Sequence, residues 1–209
     1  MRCRALLALA VSLMVLFSAG RVAAAEAAGT VTALTGKALV AGKAGERPLA
    51  KGDAVIEGDL IQTSGGSRLT LRLGKATIVH LGPSTKLRVE AHLAEAGGVL
   101  ELVDGGMVYD HIRAPNAGPS KGQVRSPYGL IAVRGTRFFA GRSKGKFSVF
   151  VDEGEVEVTA GGRSVPLKPG LGTDIAQPGA APTPAQVWPR SRIRGVLLET
   201  TGRVRLPRR

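Results

Sequence analysis

Leucine and valine recur at alternate positions through much of this chain, and that spacing confines it to β-structure. Leu69-Thr70-Leu71-Arg72-Leu73 alternates without a break, as do Leu87-Arg88-Val89-Glu90 and Val156-Glu157-Val158-Thr159. A strand turns successive side chains to opposite faces, so such segments put one face on a core and the other in water. Glycine-bearing turns separate them: Gly52-Asp53, Gly58-Asp59, Ser64-Gly65-Gly66-Ser67, Gly82-Pro83-Ser84, Asp104-Gly105-Gly106 and Gly161-Gly162. The segments recur roughly every 8–12 residues with no fixed period, the rhythm of a sandwich, a barrel or a loose solenoid. The pattern predicts an all-β chain. A single rolled, double-layered domain should run from Gly29 to Asp174, irregular β-solenoid-like or β-sandwich, followed by a C-terminal extension.

The two ends read differently. Arg2 and Arg4 precede an apolar run from Ala5 to Ala19, and Ala23-Ala24-Ala25 offers small residues for a signal peptidase, with Glu26 next. Residues 1–25 therefore read as a signal peptide, shorter than the roughly 20 apolar residues of a membrane span. This predicts export, to the periplasm in a bacterium, by the general secretory route. The only cysteine, Cys3, lies ahead of the apolar run and leaves with it, so the mature chain has no thiol or disulfide. Loss of Arg2, Arg4 and Arg21 lowers the net charge from +13 to +10. Such a balance favours anionic partners. Export argues against nucleic acid, and aromatics at 4% leave few stacking platforms.

Beyond the β domain, residues 175–189 read as a Pro/Ala-rich linker with little to bury, centred on Gln177-Pro178-Gly179-Ala180-Ala181-Pro182. Residues 190–209 form a basic tail of seven arginines, Arg190, Arg192, Arg194, Arg203, Arg205, Arg208 and Arg209, against one acid, Glu199. Alternation in Arg192-Ile193-Arg194 and Arg203-Val204-Arg205-Leu206 predicts a hairpin about Thr200-Thr201-Gly202, or a segment ordered only by an anionic partner.

Catalytic constellations are hard to assemble from this sequence. His80, His92 and His111 form no HxH or HExxH spacing, so no metal or other cofactor is expected. No serine stands in a Gly-x-Ser-x-Gly context. Acid/base pairs could be nominated from Asp104 with Asp110 or Asp152 with Glu153, but neighbours on a strand point to opposite faces. The expectation is a protein that is not an enzyme.

The most specific stretch is Ser126-Pro127-Tyr128-Gly129 leading into Val133-Arg134-Gly135-Thr136-Arg137-Phe138, followed by Asp152-Glu153-Gly154-Glu155-Val156. With Gly29-Thr30-Val31, Gly58-Asp59-Leu60-Ile61-Gln62-Thr63, Gly98-Val99-Leu100 and Leu167-Lys168-Pro169-Gly170, it resembles the FecR-like domain of exported and membrane-anchored bacterial proteins. The chain departs from that pattern at Leu73-Gly74-Lys75-Ala76, where the family often has Asp-Gly-Ser. The resemblance implies a periplasmic binding or regulatory domain. The cytosolic region of sigma-factor regulators is missing ahead of the apolar run, so a free-standing exported version is expected.

Arg134, Gly135, Thr136, Glu153, Gly154, Gly58 and Asp59 are then expected to be family-marking fold residues. A glycine between polar residues suits a bulge, with Asp152, Glu153 or Glu155 as ion-pair partner for Arg134. Partners are expected in the envelope, as a protein, an anionic polymer or a lipid surface met by the basic tail. A polysaccharide hydrolase or lyase on a solenoid is the rival reading, resting on fold analogy, and a purely structural envelope module is the third.

Overall fold

The computed structural model describes residues 27–43, 45–91, 98–111 and 121–203. Residues 1–25, read above as a signal peptide, lie outside them, as do His92, Arg205, Arg208 and Arg209. The strands are β1 (Ala27–Thr35), β2 (Ala38–Gly42), β3 (Gly45–Pro48), β4 (Ala54–Ile56), β5 (Leu60–Thr63), β6 (Arg68–Leu73), β7 (Thr77–Leu81) and β8 (Lys86–Ala91). They continue as β9 (Val99–Asp104), β10 (Gly106–His111), β11 (Lys121–Ser126), β12 (Gly129–Ser143), β13 (Lys146–Ala160), β14 (Arg163–Leu167), β15 (Leu171–Ile175) and β16 (Gln186–Val187). One helix, α1 (Arg190–Thr201), follows. The all-β class expected from the alternation is what forms, as one large sheet curled into a half-barrel.

Alternation does its work where one face meets water. Leu69, Leu71 and Leu73 point into the core while Arg68, Thr70 and Arg72 do not; Val156 and Val158 are buried while Glu155 and Glu157 are exposed. The pattern lapses where both faces are covered. Met107-Val108-Tyr109, Phe138-Phe139-Ala140 and Val149-Phe150-Val151 are buried throughout, because their outward side chains lie under the C-terminal segment. A strand covered on both faces reads as a continuous apolar run.

The long hairpin β12–β13 organises the sheet. One edge of β12 takes two neighbours, β11 along residues 129–134 and β10 along residues 137–141. The outer edge of β13 is likewise shared, with β14 opposite residues 156–160 and β15 opposite residues 147–150. Strands β3-β2-β5-β8-β9-β11 therefore extend one wall and β10-β7-β6-β1-β4 the other. Both walls line a common core. The free ends of the path, β3 and β4, are clasped by Arg47, whose guanidinium donates to Asp53 Oδ2 at 2.8 Å and to the Ala54 carbonyl at 3.1 Å.

The C-terminal extension departs from expectation. Residues 190–201 are helical, not a hairpin or a segment awaiting a partner. Ile193, Val196, Leu197 and Thr200 recur at helical spacing and face the outer surface of the second wall, where the first three join Val108, Phe139, Phe150 and Trp188 in a second apolar cluster. The alternation in Arg192-Ile193-Arg194 was a local coincidence within that longer period. Nor does the span 175–189 lack buried residues. Ile175 ends β15 in the core and Trp188 is buried against the second wall. Thr183 is held by hydrogen bonds with Thr173 and Asp174.

Candidate functional site

Three places concentrate chemistry: the crease of the β12–β13 hairpin, the anchor of α1, and a groove along the flank of α1.

The crease joins the two family-marking motifs. Register runs Arg134↔Glu155, then Arg137↔Glu153, so Gly135 and Thr136 bulge opposite Gly154. Gly135 has φ 60° and Gly154 φ 79°, backbone that L side chains adopt at a cost. A Cβ on Gly154 would come within 2.5 Å of the Gly135 carbonyl oxygen and the Thr136 Cγ2 atom. The bulge sits where β11 gives way to β10 along β12, so it bends the hairpin from one wall into the other. Thr136 is buried there with no hydrogen bond to its hydroxyl among the described residues. Arg134 is exposed and forms no ion pair among them, although Glu155 lies opposite.

The ion pair is made one turn of the motif later. Arg137 lies 3.3 Å from Asp152 and 3.7 Å from Asp110, nearly buried on the outer face of the second wall. Beside it His80 bonds Thr70 at 3.1 Å. Burial, reinforced by the Arg137 cation, holds this imidazole below its ordinary value of 6.5. Burial likewise lowers His111, which bonds Thr77. The Gly58-Asp59 turn is also structural. Gly58 has φ 90°, the Asp59 carboxylate accepts the Ile56 N–H at 2.9 Å, and the Gly58 N–H donates to the Val89 carbonyl at 2.7 Å.

Among the basic-tail arginines, Arg192 is set apart by burial. Its guanidinium donates to both oxygens of Asp174 and to Ser148 at 2.9 Å and Ser143 at 3.2 Å, and lies 3.6 Å above the Trp188 ring. Trp188 in turn stacks on Phe150 at 5.2 Å. Burial alone would raise Asp174, but the bonds from Arg192 and Ser148 offset it and hold the carboxyl below its ordinary range. Arg192 is thus an anchor for α1 and unavailable to an external anion. Arg190, Arg194 and Arg203 remain exposed. The helix needs its anchor: Pro189 offers no side-chain cap and the first turn carries no acid but two arginines, against the helix dipole.

The groove was not foreseen. Two adjoining hollows of about 260 and 480 Å³ share Arg142 and Glu199. The first has Gly82, Gly105 and Gly106 in its lining with Ser84 and Asp104; the second has Lys144, Ser143 and Ser191. Arg142 and Asp104 pair at 3.0 Å, and the Arg142 bond keeps Asp104 below the usual carboxylate range.

Residues 59–157 match the family described as FecR protein. That span takes in Asp59 and both halves of the crease, and ends before β14 and α1. Two crystal structures from Parabacteroides distasonis, each described as a candidate anti-sigma factor, share the fold. One, at 2.50 Å resolution, is 18% identical with a TM-score of 0.55 over 66% of this chain and 63% of that one. The match therefore spans less than two thirds of that relative. The other, at 1.65 Å, is 17% identical with a TM-score of 0.52 over 68% of this chain and 74% of its own. No curated protein matches the sequence significantly. Among the described residues, no helix is long and apolar enough to cross a membrane.

Proposed function

We propose that this protein is a non-catalytic, exported FecR-domain module that binds another component of the bacterial envelope and serves regulation there. Its periplasmic placement rests on the leader-like residues 1–25. The regulatory role is carried over from the FecR family and from the anti-sigma description of its structural neighbours.

The observation that carries the binding reading is the docked helix. Arg192 ties α1 to the sheet while Arg190, Arg194 and Arg203 stay in water, so basic groups stand on a fixed platform. A fixed cation loses less conformational freedom on binding than one on a loose arm. Each is worth about 1 kcal/mol beside an anionic surface, so three together give about 100-fold in affinity. Of the carboxylates open to acid/base nomination, Asp104 pairs with Arg142, Asp110 and Asp152 both lie against Arg137, and Glu153 is exposed.

Co-sedimentation of the full chain with purified cell-wall sacculi and with vesicles rich in anionic phospholipid tests this. Retention is expected at low salt and should fall steeply at high salt. The combined Arg190→Glu, Arg194→Glu, Arg203→Glu variant should lose most of it. Retention equal to wild type in that variant would remove the basic platform from the account. No retention of wild type on either material would overturn the envelope-binding reading.

A further inference from the structure

Among the described residues, two non-glycine positions have left-handed backbone, Ser84 at φ 49° and Lys144 at φ 53°. Both line the groove beside α1. Every other described position with positive φ is a glycine. Left-handed backbone is costly for residues with a Cβ, and such outliers gather at binding sites where the side chain is needed more than the relaxed turn.

Each case has a ready alternative that this chain does not use. Lys144-Gly145 is the two-residue turn joining β12 to β13, with positive φ at both positions, as in a type I′ turn. Asparagine or glycine favours the first place there, and lysine does not. Ser84 follows Pro83 in the turn after β7, at a left-handed position where glycine or asparagine is again favoured. The two turns come from distant parts of the chain, and α1 lies beside both.

The groove's chemistry points to one class of ligand. Lys144 makes no ion pair among the described residues and can meet an anion. Arg142 with Asp104, together with Glu199 and Ser84, offers paired donors and acceptors of the kind that hold adjacent hydroxyls. Two carboxylates disfavour densely phosphorylated surfaces. A protein partner would need an apolar anchor, yet Phe139, the aromatic side chain in the lining, is only 3% exposed.

We propose that this groove binds a short segment of an acidic polysaccharide, with its acid group on Lys144 and its hydroxyls between Asp104, Arg142, Glu199 and Ser84. This rests on the envelope-binding reading and names the ligand class.

The test is calorimetric titration of the full chain with hexagalacturonate and hexamannuronate, against neutral cellohexaose and hexaglutamate. The acidic sugars should bind, and each control should be weaker by about tenfold or more. Lys144→Asn should weaken acidic-sugar binding by about tenfold while raising Tm by about 2–4 °C, since it relieves the turn. Ser84→Gly should act in the same sense by about threefold in affinity. A Lys144→Asn protein that is more stable yet binds as wild type would overturn the proposal. So would hexaglutamate binding as tightly as the sugars, which would make the groove a peptide or simple charge site. If neither acidic sugar binds while sacculi and vesicles still retain the protein through Arg190, Arg194 and Arg203, the groove proposal fails and the envelope reading stands. If retention is absent as well, both fail.

Discussion

The hairpin β12–β13 carries two kinds of left-handed backbone, and they are filled in opposite ways. At the crease, where the strands must bend between walls, the positions are Gly135 and Gly154. At the tip, beside α1, the first turn position is Lys144. At the crease a Cβ on Gly154 would run into the Gly135 carbonyl and Thr136, while Gly135 has open space beside it and is held to glycine by its positive φ alone. The tip lies in water at the edge of a groove, where nothing obstructs and only torsional strain is felt. Glycine where the fold needs the bend, and a charged side chain where it does not, separates a structural role from a binding one.

The comparison breaks most visibly at the crease. Gly154→Ala combines a forbidden φ with contacts at 2.5 Å to Gly135 and Thr136. It should cost about 3–4 kcal/mol, read as a lowered urea midpoint with unchanged m-value. A loss under about 1 kcal/mol would mean that the crease relaxes freely and is not what fixes the two walls.

On the other side of the comparison, Arg192→Ala should cost about 3 kcal/mol, because it leaves Asp174 buried without its cation. The loss should be regional. Amide exchange is expected to quicken in α1 and β16 while the crease stays protected. Uniform loss of protection would show that α1 and the walls are one cooperative unit.

The smallest effect lies between the two regions. His80 faces Arg137 and Asp110 on the second wall and feels Arg203 beyond α1. Its folded pKa is depressed, so the unfolded chain binds the proton more readily. Stability is fully present above the unfolded value near 6.5 and falls as pH drops through it. His111, depressed in the same direction, adds to this slope. Thermal melts from pH 7.5 to 5 should show Tm falling, and His80→Gln should flatten the curve. An unchanged slope in that variant would assign the acid sensitivity elsewhere.

Much of the β domain was legible in the residues. Leu69, Leu71 and Leu73 alternate because one face of β6 meets water, and the glycine turns mark reversals that the backbone makes. Gly135 and Gly154 were identifiable as corner residues, since few other reasons place glycine amid alternating strand. Arg137 was overlooked in favour of Arg134, because register across a bulge cannot be counted from sequence. The α1 helix was hidden by arginines that mimic strand alternation and by poor capping, so its helical face shows only once Val108, Phe139 and Phe150 supply a surface for it. The groove left a faint trace, lysine and serine at turn positions that favour asparagine or glycine.

The sequence by itself determined the class of fold, the places where the chain turns and the FecR signature, because period-two burial and left-handed glycine are local requirements written residue by residue. Tertiary structure decided which wall each strand joins, that Arg192 is an anchor while Arg190 and Arg194 face water, and that Ser84 and Lys144 share a groove. Those facts depend on partners 18 to 60 residues away, such as Asp174 for Arg192 and Ser84 for Lys144, and only long-range packing brings them together.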